Sequence, residues 1–409
     1  MAWQYLKFRW LVSLLTIFGI STGVALVCAV LALRHESEKA LSRDAGLYDL
    51  VAGGKGSPLQ LVLSSVYHLD SPTGNIPYKE YERIRSDPRV EWAAPVGLGD
   101  NYLGYRIIGT EKHFFDLPDR EGNLFFELAE GDVFQDRFDV VLGSQVAQAS
   151  GLEIGDSFFG THGLIEVAGA EVHRDFPYRV SGILAPSGTA QDRAIFGTLK
   201  SVWEIHETED LLHSAIQGSA IMADHKTRET TAILVRLETP GLRLWMADEI
   251  REGTDGIAAI PIYEIMRFQQ GILGPVHKIL LAIAGVVVAV SCLTVLITLH
   301  QAAERRRRDI AILRSLGAYR REVAPLVFSE GLLLTGGGIL LGLLIGHGGM
   351  AIAVDYFREA TGLILNPWRI PSNELYALLI MALSGALAST FPAISSYRRT
   401  PIDDLQLSE

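Results

Sequence analysis

Apolar and polar positions give this chain two textures. One uncharged apolar run, Trp10 to Leu33, stands near the front, and three more stand at the back, Ile279 to Leu299, Val323 to Gly346 and Leu375 to Ser396. Each has about the 20 residues that a helix needs to cross about 30 Å of hydrocarbon, so four transmembrane helices are expected. Between the first two lie about 240 polar, turn-rich residues, enough for a folded core of ordinary size. There, short alternating runs at Tyr105–Ile108, Val140–Leu142, Ile165–Val167, Tyr178–Leu184, Ala194–Thr198 and Ile233–Leu237 predict strands punctuated by Gly, Pro and Asp. Helical spacing predicts helices at Tyr78–Ser86, Ser144–Ser150, Lys200–His206 and Leu242–Arg251. A Gly-rich break is read at Gly53, Gly54, Lys55 and Gly56. The expected fold class is membrane α-helical, with four transmembrane helices and a large α+β extracytoplasmic domain inserted between spans one and two.

Two helical patterns join the insert to the membrane. Leu41, Ala45 and Tyr48 recur at helical spacing straight after span one. Ile262, Ile265, Met266, Gln269 and Ile272 make a stripe leading into span two, interrupted by Gly271, Gly274 and Pro275. Together they predict a helical stalk that carries movement from one side of the membrane to the other.

Basic residues in short flanking loops stay on the cytoplasmic side. Lys7 and Arg9 precede span one, Arg305, Arg306, Arg307, Arg308, Arg314, Arg320 and Arg321 crowd the loop between spans two and three, and Arg398 and Arg399 follow span four. All three groups agree. The division is a cytoplasmic segment 1–9, spans 10–33, 276–300, 323–347 and 374–396, an extracytoplasmic domain with stalk helices 34–275, a cytoplasmic loop 301–322, an outer loop 348–373 and a cytoplasmic tail 397–409. The net charge of -11 describes no single surface, because acids fall mostly outside and bases mostly inside. The first apolar run exceeds a signal-peptide core and lacks a small-residue cleavage site, so it is read as an anchor. Both cysteines, Cys28 and Cys292, fall in expected spans, which leaves the insert without disulfides.

Several chemistries find no footing. Around Lys55 the spacing of a phosphate-binding loop fails, since Asp49 stands where its first Gly belongs and Gly56 follows the Lys. Gly19, Ser21 and Gly23 match the spacing of a nucleophile elbow but lie mid-span, where close helix packing through Gly19 and Gly23 is the reading preferred. Gly338, Gly342 and Gly346 form a second small-residue ladder, a seam of the bundle or of a dimer. Glu330 is the acid inside a span and a functional candidate by its desolvation cost. His347 is placed near the outer end of the same span. Of the eleven histidines, His206 with Asp210 and His213 shares a helix face that suits a metal, although a solvated amphipathic face is the plainer account. His68, His113, His162 and His173 are read singly, not as ligands. No metal is therefore assigned.

The cytoplasmic loop carries the most specific pattern. Ile310, Leu313 and Leu316 cluster on one helical face, Glu304, Arg307, Arg308 and Arg314 lie around them, and Gly317 stops the helix. The arginines by themselves fit topology or binding of membrane lipid; the ordered apolar face suggests a short helix that docks into a partner's groove. This segment, ERRRRDIAILRSLGA, resembles the loop after the second span in the FtsX-like permeases of the MacB superfamily (type VII) of ABC transporters. LKFRWLVSLLTIFGISTGVAL at span one, VVLGSQVAQASGLEIGDSFFG and YRVSGILAPSGTAQDRAIFGTL in the insert, and FPAISSYRRTPIDDLQ after span four are similar to that family in the same order.

The resemblance implies a permease subunit of the bacterial inner membrane, without enzymatic activity of its own. It implies a homodimer or heterodimer of such subunits on two separate ATPase subunits that bind ATP and Mg, while this chain binds no cofactor. ATP-driven motion would reach a MacB-like periplasmic core domain through the stalk, by mechanotransmission, to export or handle a periplasmic substrate. Carried over by position, Glu304 to Ala318 is the coupling element. A periplasmic adaptor or lipoprotein is a further expected partner, and nucleic acid is not expected. The Gly53 to Pro77 segment departs from efflux-type members, so the substrate is left open. Lipoprotein release and a membrane-anchored metal-homeostasis component, zinc included, stand as alternatives.

Overall fold

A computed structural model describes residues 7, 10–118, 122, 124–163, 172–216, 228–305, 320–361 and 365–398. The chain divides into two compact units. A helical unit comprises Met1–Ser37, Ile272–Tyr356 and Leu365–Glu409, and a sheet unit comprises Glu38–Gly271 and Phe357–Ile364.

The helical unit is built on four helices long and apolar enough to cross a membrane, Trp10–Ala45, Gly274–Arg305, Arg320–Thr361 and Ser372–Arg398. Ile20, Val24, Val27, Ala284, Val295, Leu299, Leu334 and Met381 are buried between them. Leu14, Phe18, Val286, Val290, Leu340, Leu344, Leu383 and Leu387 are exposed instead, an apolar coat suited to hydrocarbon and unsuited to water. Pro325 and Pro392 lie inside the third and fourth helices. The third helix runs to Thr361 and takes up the first part of the segment expected as the outer loop 348–373. Gly348 and Gly349 lie within it. Each costs a helix only about 1 kcal/mol relative to Ala, and the Met350–Phe357 stretch beyond them contains no Pro or Gly to halt it.

The sheet unit contains twelve strands among the described residues: β1 (Leu50–Gly53), β2 (Ile76–Pro77), β3 (Val90–Tyr102), β4 (Tyr105–Thr110), β5 (Leu128–Gly131), β6 (Asp139–Leu142), β7 (Ser157–His162), β8 (Val172–Leu184), β9 (Ala194–Thr198), β10 (Glu229–Thr230), β11 (Ala232–Leu237) and β12 (Ile257–Ala259). Ten join one sheet in the order β12-β1-β11-β3-β4-β9-β6-β8-β5, with β7 added between β3 and β8, and β10 pairs with β2 apart from it. The pairs β4–β9 and β6–β8 are parallel and the remaining pairs antiparallel.

β3 organises the sheet. Residues Val90 to Val96 pair with β11, and Gly97 to Tyr102 pair with β4. Because β7 pairs with β8 along its length and with β3 at Asp100↔His162 and Asn101↔Thr161, the strands β3, β4, β9, β6, β8 and β7 close into a ring. Alternation then sorts the side chains. Ile107, Val140, Leu142, Phe158, Tyr178, Val180 and Ile195 form one buried cluster. Their neighbours Ile108, Val141, Ala194 and Phe196 enter another, with Phe114, Phe115, Phe126 and Phe134. Burying each of these rings contributes about 1.5–3 kcal/mol.

The strands expected at Tyr105–Ile108, Val140–Leu142, Tyr178–Leu184, Ala194–Thr198 and Ile233–Leu237 lie within β4, β6, β8, β9 and β11, and Ile165–Val167 lies outside the described residues. The Gly-rich break at Gly53 begins inside a strand. β1 is only four residues long and buried on both faces between β11 and β12, so it shows no alternation to read.

Candidate functional site

The small residues of the helical unit mark where its helices touch. A Cβ on Gly338 would meet Ile20 Cγ2 at 2.5 Å, one on Gly342 would meet Val24 Cβ at 2.5 Å, and one on Gly346 would meet the Ala25 carbonyl at 3.0 Å. The ladder is thus the face of the third helix on which the first helix of the same chain lies. Gly23 faces the second helix, with Val288 Cγ2 at 3.1 Å from its added Cβ, whereas one on Gly19 would meet nothing within 4 Å. The Gly19 carbonyl contributes differently, accepting a hydrogen bond of 2.9 Å from the Ser291 hydroxyl of the second helix. On the fourth helix, a Cβ on Gly385 would meet Thr335 Oγ1 of the third at 2.4 Å.

Buried polar groups collect near the connection between the third and fourth helices. His347 is 5% exposed; its Nδ1 donates to the Pro367 carbonyl and its Nε2 lies 2.8 Å from Glu374 Oε1. Glu36, from the first helix, accepts the Asn366 amide at 3.2 Å, and the Trp368 ring stacks on His347 at 6.5 Å between centroids. Both ring nitrogens of His347 therefore face oxygens. Since a carbonyl can only accept, Nδ1 carries a proton, and the Nε2–Glu374 contact needs a second proton on one partner or the other. The pair belongs to a lock that ties the first, third and fourth helices to residues 366–368. Glu374 and Glu36 were not singled out in the sequence; an acid at the very edge of an apolar run is the signal that marks both.

Other expected site residues scatter. Glu330 is buried in the third helix. Glu304 lies in the last turn of Gly274–Arg305, while Arg307, Arg308, Ile310, Leu313, Arg314, Leu316 and Gly317 lie outside the described residues. His206 stands on the helix Leu199–Ile216, where its ring meets that of His162 at 5.6 Å. The side chains of Asp210 and His213 lie outside the described residues. His162 and His173, separate in sequence, are brought together by β7 and β8, their rings 5.8 Å apart.

The sheet unit grips both of its chain ends. Ala45, from the last turn of the first long helix, and Ile265, from the helix Pro261–Phe268, are both fully buried in the same aromatic-rich core. Asp44 accepts the Ala190 amide at 3.0 Å, and Arg43 donates to the Gly188 carbonyl. Gln269 Nε2 donates to the Glu38 carbonyl at 3.4 Å, so the two segments also touch each other. Just beyond, Asp49 accepts the Leu237 amide at 2.9 Å and pairs with the Arg243 guanidinium at 2.5 Å. The first long helix passes unbroken from Trp10 to Ala45, and the return contains a π-helical turn at Gln269–Leu273 before Gly274–Arg305.

The chain is similar to two families. Residues 13–241 match the MacB-like periplasmic core domain and residues 281–402 match the FtsX-like permease C-terminal domain. An uncharacterised ABC transporter permease of Methanocaldococcus jannaschii is 22% identical over 99% of this chain and 96% of its own length. One of Mycobacterium tuberculosis is 24% identical over the whole chain, which spans only 44% of that relative, and the pyoverdine export ATP-binding/permease protein PvdT of Pseudomonas putida is 24% identical over 84% of this chain and 51% of its own. The periplasmic region of MacB from Actinobacillus actinomycetemcomitans aligns with 54% of this chain and 92% of its own at 11% identity and a TM-score of 0.32. With four membrane-length helices in addition, this is a membrane protein that carries an extracytoplasmic domain. The periplasmic-core model alone matches more than half of the residues, and the chain belongs to the ABC transporter permeases of the MacB/FtsX type.

Proposed function

We propose that this permease works by mechanotransmission: ATP hydrolysis on cytoplasmic ATPase subunits moves its helices, and the helices move the sheet unit, which handles or exports a substrate outside the inner membrane. The observation that carries this reading is the burial of Ala45 and Ile265 in one core, so that both segments leading to the spans end in the same packed body. A helix of 36 residues is about 54 Å long, well beyond the about 30 Å of hydrocarbon it crosses. Displacement along such a rod is passed on, because a packed interior deforms little. The π-helical turn at Gln269–Leu273 gives the second rod a place to bend. The ATPase is a partner in this reading, and the relative named as an ATP-binding/permease protein supports pairing the two activities.

The apolar face Ile310, Leu313 and Leu316 is the proposed contact with the ATPase. Replacing Ile310 and Leu313 together by Asp should abolish co-purification of the ATPase subunit in mild detergent while leaving membrane insertion intact. Undiminished recovery of the ATPase with that variant would refute the docking assignment. The same purification from wild type, read by mass spectrometry, should also bring down a second permease copy or a distinct permease partner.

A further inference from the structure

We propose that Asp100, His162 and His173 form a binding site for a divalent first-row transition-metal ion, of which zinc is the natural probe, at the join that closes the ring of strands. The site lies wholly within the sheet unit. Asp100 follows the register shift of β3 between Leu98 and Asp100, the kind of irregularity that redirects a side chain. His162 ends β7 directly opposite it, and His173 opens β8. Asp100 Oδ1 lies 3.1 Å from His173 Nε2 and 3.8 Å from His162 Nδ1, and one ligand atom from each residue falls within 4.8 Å of the other two. An ion with tetrahedral bonds of about 2.0 Å holds its ligand atoms about 3.3 Å apart, so small side-chain movements complete the shell.

Two further observations point to a cation. Asp100 is 1% exposed, yet its Oδ2 has no hydrogen-bond partner among the described residues. A buried carboxylate oxygen left so is costly, and a metal ion is a partner that satisfies it. Gly99 has no side chain where His206 needs the space: a Cβ there would sit 2.4 Å from His206 Nε2. That places a third imidazole beside His162, with ring centroids 5.6 Å apart. His162 and His206 also line an open cleft of about 480 Å³, which gives an ion its way in. Two imidazoles with one carboxylate suit zinc and its neighbours and do not suit calcium or magnesium, which take oxygen shells.

The consequence is mechanical. The β3–β7 pairing is two residue pairs wide, and an ion held by one residue from each of β3, β7 and β8 staples it shut. This inference is independent of the ATPase reading, because it is tested on the permease chain alone.

The full-length chain, purified in detergent and stripped with chelator, is equilibrated with zinc, desalted and assayed for bound metal. Wild type should retain one zinc ion per chain even with excess calcium and magnesium present, and its unfolding temperature should rise on loading. His162→Ala should lose the metal and the thermal shift. Because the His162 side chain is 53% exposed, this variant is expected to fold, with an unfolding temperature equal to that of metal-free wild type. Asp100→Asn should lose the metal as well. Zinc retained equally by wild type and His162→Ala, or displaced from wild type by calcium, overturns the assignment.

Discussion

At the scale of single residues, two acid-sensitive groups and one glycine seam make testable statements. Burial of His68 pushes its pKa down to about 4, although its Nε2 contacts Gln191 Oε1 at 2.9 Å. The unfolded chain, with an ordinary value of about 6.5, therefore binds more protons between the two, and stability falls as pH drops from about 6.5 to about 4. Glu111 adds to the loss at lower pH. Burial raises its pKa, but hydrogen bonds from His113, Tyr78 and Tyr81 outweigh this and hold it at about 2, so its contribution is present above about 4.5 and is lost as pH falls towards 2. Thermal unfolding of the purified chain followed from pH 7 to pH 4 should show a falling midpoint, and His68→Gln should flatten that slope. For the seam, Gly342→Leu would drive side-chain atoms into Val24 and cost about 1–3 kcal/mol, whereas Gly19→Ala should leave stability unchanged or slightly raised. Unfolding in detergent distinguishes them. The small-residue spacing at Gly338, Gly342 and Gly346 was legible because a period of four recurs on one helix face. Asp100, His162 and His173 were not, because strand pairing gathers them from three strands, with Asp100 and His173 separated by 73 residues.

At the scale of elements, the first long helix is the part most open to attack. Lys39 is exposed on it, so Lys39→Pro breaks the helix while removing no buried side chain, at a cost of about 3 kcal/mol. In a complex reconstituted with its ATPase, an ATP-dependent change in protease sensitivity of the sheet unit should survive in Lys39→Ala and vanish in Lys39→Pro, with ATP hydrolysis continuing in both. Loss in both variants would point to Lys39 itself and away from the rod. The spans were plain in the sequence, since about 20 apolar residues have few other uses. The ends of elements were harder. β3 escaped notice because Pro95, Gly97, Gly99, Asp100 and Asn101 read as turn residues, and only its pairing with β11 on one side and β4 on the other makes them a strand. The third helix outran its expected end because that end was drawn where the apolar run stops, and Gly348 and Gly349 weaken a helix without stopping it.

At the scale of the whole molecule, fold class and family were readable because they rest on coarse, repeated signals: four apolar runs, the placement of arginines, and motifs in a fixed order. The closure of six strands into a ring was not readable, because it depends on a contact between β3 and β7 that no local pattern announces. The His347–Glu374 lock is of the same kind, joining residues from separate spans. Closure also governs how the sheet unit meets its neighbours. The strands that end the main path of the ten-stranded sheet are short, three residues in β12 and four in β5. Such short borders are poor templates for another chain's backbone and guard the domain against edge-to-edge aggregation.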